Sequence, residues 1–203
     1  MKLFYQIITA LVFCTQAKAF LTLAETGEII SQNTNRVGVG AQIRLSDGNG
    51  ANAMGSFDAA INEDSSYRLN MGFGETDFFV GGSYKWVPIP DYDKQPAMGL
   101  RFGGLYARPK SVNYFALRVD PLISKKFATD YGVLTPYGAI PVMLAFIDSK
   151  NELQAQITAG AEFKPNDNDK WIFGSEVGVN AKDSFSYFLI TVSYLLDEVK
   201  GRK

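Results

Sequence analysis

The run Ser-Phe-Ser-Tyr-Phe-Leu-Ile-Thr-Val-Ser-Tyr-Leu-Leu, residues 184–196, decides how the chain is read. Taken every second residue, Phe188, Ile190, Val192, Tyr194 and Leu196 make one unbroken apolar face. Tyr187, Leu189, Thr191, Ser193 and Leu195 make a mixed one. A β-strand sends successive side chains to opposite sides, so the run reads as a strand with two unlike faces. It holds no proline and no charge. It also has the roughly 9–11 residues that a tilted strand needs to cross a hydrocarbon layer. Two readings follow: a half-buried strand of a soluble sheet, or the closing strand of a barrel that spans a membrane.

Working outward, the alternation recurs. Val37, Val39, Ala41, Ile43 and Leu45 oppose Gly38, Gly40, Gln42 and Arg44. Tyr67, Leu69, Met71 and Phe73 oppose Arg68, Asn70 and Gly72, and Phe78, Val80, Tyr84 and Trp86 oppose Asp77, Gly81, Ser83 and Lys85. Met98, Leu100, Phe102 and Tyr106 oppose Gly99, Arg101 and Gly103; Phe115, Leu117, Val119 and Ile123 oppose Tyr114, Arg118 and Asp120. A weaker strand with Asp58 on its polar side covers residues 51–62, and clearer ones carrying Glu162 and Glu176 cover residues 152–163 and 171–180. Residues 133–147 are apolar on both faces and hold Pro136 and Pro141, so a bulge or bend is expected near Pro141. Asp47-Gly48-Asn49-Gly50 has turn chemistry. Residues 87–96, rich in Pro and Asp, read as the longest loop, because prolines disfavour a regular strand. The sum is an all-β chain folding as an antiparallel up-and-down transmembrane β-barrel of about ten strands, within the range of roughly eight to twelve, with short turns. No period of about 20–50 residues recurs, which excludes a propeller or solenoid.

Residues 1–19 are a separate object. Lys2 precedes a largely apolar stretch, and Ala17-Lys18-Ala19 has small-x-small cleavage chemistry, so a secretory signal peptide is expected, cut before Phe20. Cys14 as a lipidation site is disfavoured by the bulky Phe13 before it. Cleavage removes the chain's one cysteine, and the sequence has no histidine. No disulfide, thiol nucleophile or His-based metal site is then expected, and no cofactor. The acidic pairs Asp91/Asp93 and Asp167/Asp169 read as solvated turns rather than calcium sites. Net charge near neutral gives no case for nucleic acid. Residues 20–36 are a lead-in, either a periplasmic tail or a segment that plugs or flanks the barrel mouth. Residues 37–196 are the barrel, and residues 197–203 a charged tail.

Alternation by itself is common to soluble and membrane barrels; only the direction of the apolar face differs. Two features favour an outward apolar face. Tyr67, Trp86, Tyr106, Trp171 and Tyr194 fall near strand ends, where membrane-interface aromatics belong. The polar face collects the charges: Arg44, Arg68, Lys85, Arg101 and Arg118 against Asp58, Asp77, Asp120, Glu162 and Glu176. In a narrow lumen these ten would form a salt-bridge network or, on the competing reading, line a pore. The inward glycines would admit the long arginines.

The signal segment, the alternating strands and the aromatic last strand of residues 188–196 resemble the small bacterial outer-membrane β-barrel proteins. That resemblance implies outer-membrane localisation, lipid as the surrounding partner, and the barrel-insertion machinery as the reader of the last strand. The catalytic barrels of the class rely on a histidine, which this chain lacks. The resemblance therefore implies a non-catalytic structural or interaction barrel; the alternatives are a narrow solute pore and a soluble ligand-binding barrel. With both ends at the periplasmic rim, the outward turns would all be short and the 87–96 loop would face inward.

Overall fold

The computed structural model describes residues 24–46, 50–109, 112–148 and 150–197. The expected signal segment, the start of the lead-in, the Asp47–Asn49 turn tip and the tail beyond Asp197 lie outside these residues.

Twelve strand segments form one sheet: β1 Thr34–Arg44, β2 Gly50–Ala60, β3 Ser65–Gly74, β4 Asp77–Ile89, β5 Ala97–Ala107, β6 Tyr114–Ser124, β7 Phe127–Thr129, β8 Gly132–Ala139, β9 Val142–Ile147, β10 Lys150–Pro165, β11 Trp171–Lys182 and β12 Tyr187–Asp197. All pairings are antiparallel, and β12 closes on β1 from Thr34↔Asp197 to Arg44↔Tyr187. Segments β8 and β9 are one strand interrupted at Ile140-Pro141, both pairing with β6 and with β10. The short β7 carries the line of β6 on beside β8. The sheet is thus a closed ten-stranded up-and-down barrel.

The expected irregularity at Pro141 is present, and its cause is visible. Pro141 has no N–H to give the ladder, while the Ile140 N–H donates to the Pro121 carbonyl (3.1 Å) and the Gln156 N–H to the Pro141 carbonyl (3.0 Å). Side-chain alternation survives the break: Ala139 and Pro141 are buried, Ile140 and Val142 exposed. The loop expected at residues 87–96 is shorter than read. β4 continues through Val87, Pro88 and Ile89, and its register with β5 shifts between Trp86 and Ile89, which accommodates Pro88. The barrel also starts earlier than Val37, at Thr34.

Large apolar side chains point out from most of the strands. Val39, Leu69, Met71, Phe73, Phe102, Leu117, Ile157 and Ile190 are all exposed, while the residues between them are largely buried. A strand of 11 residues such as β1 rises about 28 Å at a tilt of about 40°, matching an apolar band of roughly 25 Å. A continuous apolar exterior of this size has no place in water. It is the inside-out order of a transmembrane barrel.

The start of β1 and the end of β12 meet at one rim, where Thr34 pairs with Asp197. That rim, the terminal rim, carries the turns at residues 61–64, 90–96, 130–131 and 166–170. The far rim carries the short connections from β1 to β2, β3 to β4, β5 to β6, β9 to β10 and β11 to β12. Several turns reverse through left-handed Asp residues, among them Asp77, Asp148 and Asp183.

Candidate functional site: the occupied barrel interior

The barrel interior has two tiers. Toward the far rim, inward side chains form an apolar core of Met54, Phe79, Leu105, Tyr114, Met143 and Leu189, joined by Phe185 from the β11–β12 turn. That turn folds into the barrel mouth. Gln156 donates to the Phe185 carbonyl (2.6 Å), and the Ser186 N–H donates to Ser46 Oγ (2.9 Å). Close fits between glycines and rings build this wall. Gly72 faces Phe79, Gly160 faces Tyr137 and Gly178 faces Tyr187, each pair directly cross-strand. A Cβ on any of these glycines would collide with the ring opposite. Of the inward glycines expected to make room for arginines, Gly72 faces the Phe79 ring, Gly38, Gly40, Gly81 and Gly99 lie against other neutral side chains, and Gly103 has an arginine, Arg118, close by.

The middle tier is ionic. Arg36 on β1 pairs with Asp58 on β2 (2.5 Å) and Glu162 on β10 (3.0 Å). Arg68 on β3 grips both oxygens of Asp58 (2.5 and 2.8 Å). Arg101 on β5 and Arg118 on β6 share Asp120 (2.6 and 3.0 Å). Removing such charges from water is costly unless each meets an opposite charge with good geometry.

What joins the two halves of this ring is the lead-in. Residues 24–30 run inside the barrel, and the chain turns into β1 at Asn33, whose φ is 66°. Glu25, 2% exposed at its side chain, reaches Lys85 (2.8 Å), Arg101 (3.3 Å) and Arg68 (3.9 Å). The segment's backbone is gripped as well. Arg68 donates to the Ala24 carbonyl (2.6 Å), and the Ala24 N–H donates to Glu176 (2.6 Å). The Gly27 N–H donates to Ser124 Oγ (3.0 Å). Lys85 donates to the carbonyls of Thr26 (3.0 Å) and Glu28 (2.6 Å). An ammonium has three donors. The three partners found for Lys85 — Glu25, Thr26 and Glu28 — all belong to this strap. Of the two roles expected for the lead-in, tail or plug, residues 24–30 take the second.

Eight of the ten charges expected on the polar face come together in this tier or against it. Asp58, Arg68, Lys85, Arg101, Arg118, Asp120 and Glu162 lie in the ion-pair ring, and Glu176 accepts from Tyr137 (2.7 Å) and Tyr187 (2.5 Å) beside the strap. Two do not. Arg44 stands near the far rim and pairs with Glu75. Asp77 is exposed at the β3–β4 turn with φ of 43°; its strand starts there, so it never reaches the inner face. Sequence reading missed Arg36 and Glu25. Arg36 continues the even-numbered series of Gly38, Gly40 and Gln42, which was the available signal. Glu25 lies outside any alternating run and had none.

The aromatics divide between the rims. Tyr67, Trp86, Trp171 and Tyr194 sit on the outer face toward the terminal rim, with Trp171 and Tyr194 edge to face at 5.0 Å. Tyr106 lies at the other end of β5, beside Phe78 (5.7 Å). Below the strap, a cavity of about 430 Å³ opens at the terminal rim between Ile29, Ile30, Lys126, Glu162, Lys164 and Lys170. Asp91 ties this rim together: it accepts from Lys125 and from the Lys126 N–H (2.6 Å). Burial opposes its charge, but these contacts hold its carboxyl below the usual range.

No family model and no curated protein matches the chain. It is similar to solved barrels. A de novo designed transmembrane β-barrel is 16% identical at a TM-score of 0.43, covering 82% of this chain and 98% of that one. The N-terminal β-barrel domain of Pseudomonas aeruginosa OprF is 13% identical at 0.37, covering 81% and 98%. The attachment invasion locus protein Ail of Yersinia pestis, solved with the heparin analogue sucrose octasulfate, is 10% identical at 0.32, covering 82% and 100%.

Proposed function

We propose that this chain is an integral outer-membrane β-barrel that serves a structural or interaction role, carries out no catalysis and conducts little. The outward apolar face, the expected signal peptide and the aromatics toward both rims support the membrane assignment. The terminal rim faces the periplasm and the short turns face outward. Lipid surrounds the barrel, and the insertion machinery reads β12 during assembly. The observation that carries the non-conducting role is the strap. A solute entering from the terminal rim meets residues 24–28 held by Lys85, Arg68 and Arg101, and beyond them the apolar tier closed by Phe185.

The membrane half of the reading is tested by whether purified chain folds only in detergent or lipid; a folded, monomeric chain in plain buffer would sink it. The closed-interior half is tested in planar bilayers. Steady ion-selective conductance from the purified barrel would overturn it in favour of a narrow pore.

A further inference from the structure

We infer that the middle of the barrel is a binding site for a short peptide segment bearing a carboxylate, and that residues 24–28 are its occupant in cis. The inference rests on the terminal rim facing the periplasm, since a partner's acidic segment would enter from there.

Three observations carry it. First, the wall recognises the strap as a peptide. Backbone groups of Ala24, Thr26, Gly27 and Glu28 are each met by a wall side chain — Arg68, Glu176, Lys85 or Ser124. Apart from the Glu25 carboxylate, these contacts are to the backbone, and the fit selects a side chain only at Gly27, where a Cβ would crowd Ser124, Leu122 and Ala97; another segment with a glycine there could make them. Second, Lys85, Arg68 and Arg101 converge from three adjacent strands on one carboxylate, that of Glu25. Arg68 and Arg101 also hold wall acids, Asp58 and Asp120, whereas the partners found for Lys85 are all on the strap. Among the described residues, Lys85 is thus a wall cation whose partners lie on the strap, and it marks the position where a ligand carboxylate is received. Third, the route is built. The 430 Å³ cavity at the terminal rim is lined by the strap's own Glu28, Ile29, Ile30 and Ser31, so the occupied site communicates with that rim. The strap's remaining side-chain tie there is an exposed one, Glu28 with Lys126. Buried ion pairs with peptide-backbone recognition at one end and a loosely tied entry at the other describe a segment that can be exchanged.

The test uses the full chain, folded in detergent, with a specific protease site placed at the exposed residues 31–33. After the strap is cut, a fluorescent peptide of residues 24–31 is added and its anisotropy followed. Saturable one-to-one binding to the cut barrel, and none to the uncut one, is the expected result. The peptide with Glu25→Gln should bind at least tenfold more weakly, and that discrimination should shrink to less than threefold on a Lys85→Met barrel. A cut strap that never exchanges, equal binding of both peptides, or loss of the folded barrel's gel mobility on cutting would each overturn the inference and make the strap ordinary core. Because everything is measured in detergent, these failures are separate from a failure of the membrane assignment, which detergent-free folding reads.

Discussion

Replacing Glu25 by Gln is the sharpest perturbation of the barrel interior. The change keeps the side chain's size and one acceptor oxygen and removes the charge. Breaking a buried ion pair by deleting one partner costs about 3–5 kcal/mol, because the other charge is left uncompensated. That range must be apportioned here. Arg68 retains both oxygens of Asp58, and Arg101 retains Asp120 at 2.6 Å, so neither is stranded. Lys85 keeps only the carbonyls of Thr26 and Glu28, neutral dipoles in place of a charge. The loss therefore concentrates on one ammonium, at the lower end of the range, about 3 kcal/mol.

A double-mutant cycle isolates it. Lys85→Met alone should cost less, about 1–2 kcal/mol, since Glu25 keeps Arg101 and Arg68. The double variant should be less destabilised than the two singles added together, because the uncompensated ammonium is gone. Urea unfolding of the barrel in lipid vesicles, followed by tryptophan fluorescence, measures all four corners. The control is Glu28→Gln, whose pair with Lys126 is half in water and should be worth no more than about 0.5 kcal/mol. If Glu25→Gln and Glu28→Gln fall within about 0.5 kcal/mol of each other, the strap's charge is not what completes the ring, and the reasoning fails.

Gly178→Ala should destabilise by about 1–3 kcal/mol, because the Tyr187 ring it would strike is held by a hydrogen bond to Glu176, whereas Gly104→Ala, whose Cβ meets nothing nearer than 3.8 Å, should be near neutral; thermal unfolding separates the two. Ile190→Arg, on the exposed face of β12, should cost about 2–4 kcal/mol and lower the folded fraction in vesicles, while a barrel whose outer face met water would tolerate it. Phe185→Ala should leave a cavity beneath the far mouth and cost about 3 kcal/mol, read in the same urea titration. Asp91 carries a lowered pKa, so its clamp on Lys125 and Lys126 contributes fully above the ordinary aspartate range and is lost as pH falls through the lowered value. Limited proteolysis at residues 92–95 should accelerate only in that acid window and, in Asp91→Asn, be fast at neutral pH as well.

The barrel was legible in the sequence because its signal is long-range and repeated. Alternation over strand after strand fixes which residues share a face, and the register follows: Val39, Leu69, Phe102 and Ile190 all stand outside, as the pattern requires. Eight of the ten charges placed by that rule stand in the ion-pair tier or against it. The failures have separate causes. Asp77 was assigned by parity alone, but a turn residue with positive φ no longer obeys strand parity. Pro88 was read as ending β4, yet a register shift lets a strand carry a proline. The filling of the glycine notches by rings depends on which cross-strand partner lies opposite, and that is a matter of register, which composition does not carry. The strap was beyond any periodicity argument, since residues 24–30 form no strand and are positioned wholly by the barrel around them.

Barrel width explains why a strap is there to be found. With strands about 4.8 Å apart and tilted about 40°, closing eight gives a backbone radius near 8 Å and closing ten gives about 10 Å. The cross-section grows by roughly 100 Å², while one extended segment with its side chains occupies about 50 Å². An eight-stranded barrel is filled by its own inward side chains. A ten-stranded one is too wide for that and far too narrow for an open channel of the usual kind. This chain meets the excess differently at its two levels. Toward the far rim, large rings seated in glycine notches and the inturned Phe185 take up the width with apolar volume. At mid-height the wall presents charges, which volume alone does not satisfy, and a polar occupant with its own carboxylate is required. Arg36 finds Asp58 and Glu162 on the wall, Arg68 finds Asp58, and Arg101 and Arg118 share Asp120; Glu25 of the strap brings the acid that Lys85 meets. That Lys85 meets its carboxylate on the strap is what ties the identity of the occupant to its chemistry rather than to its bulk.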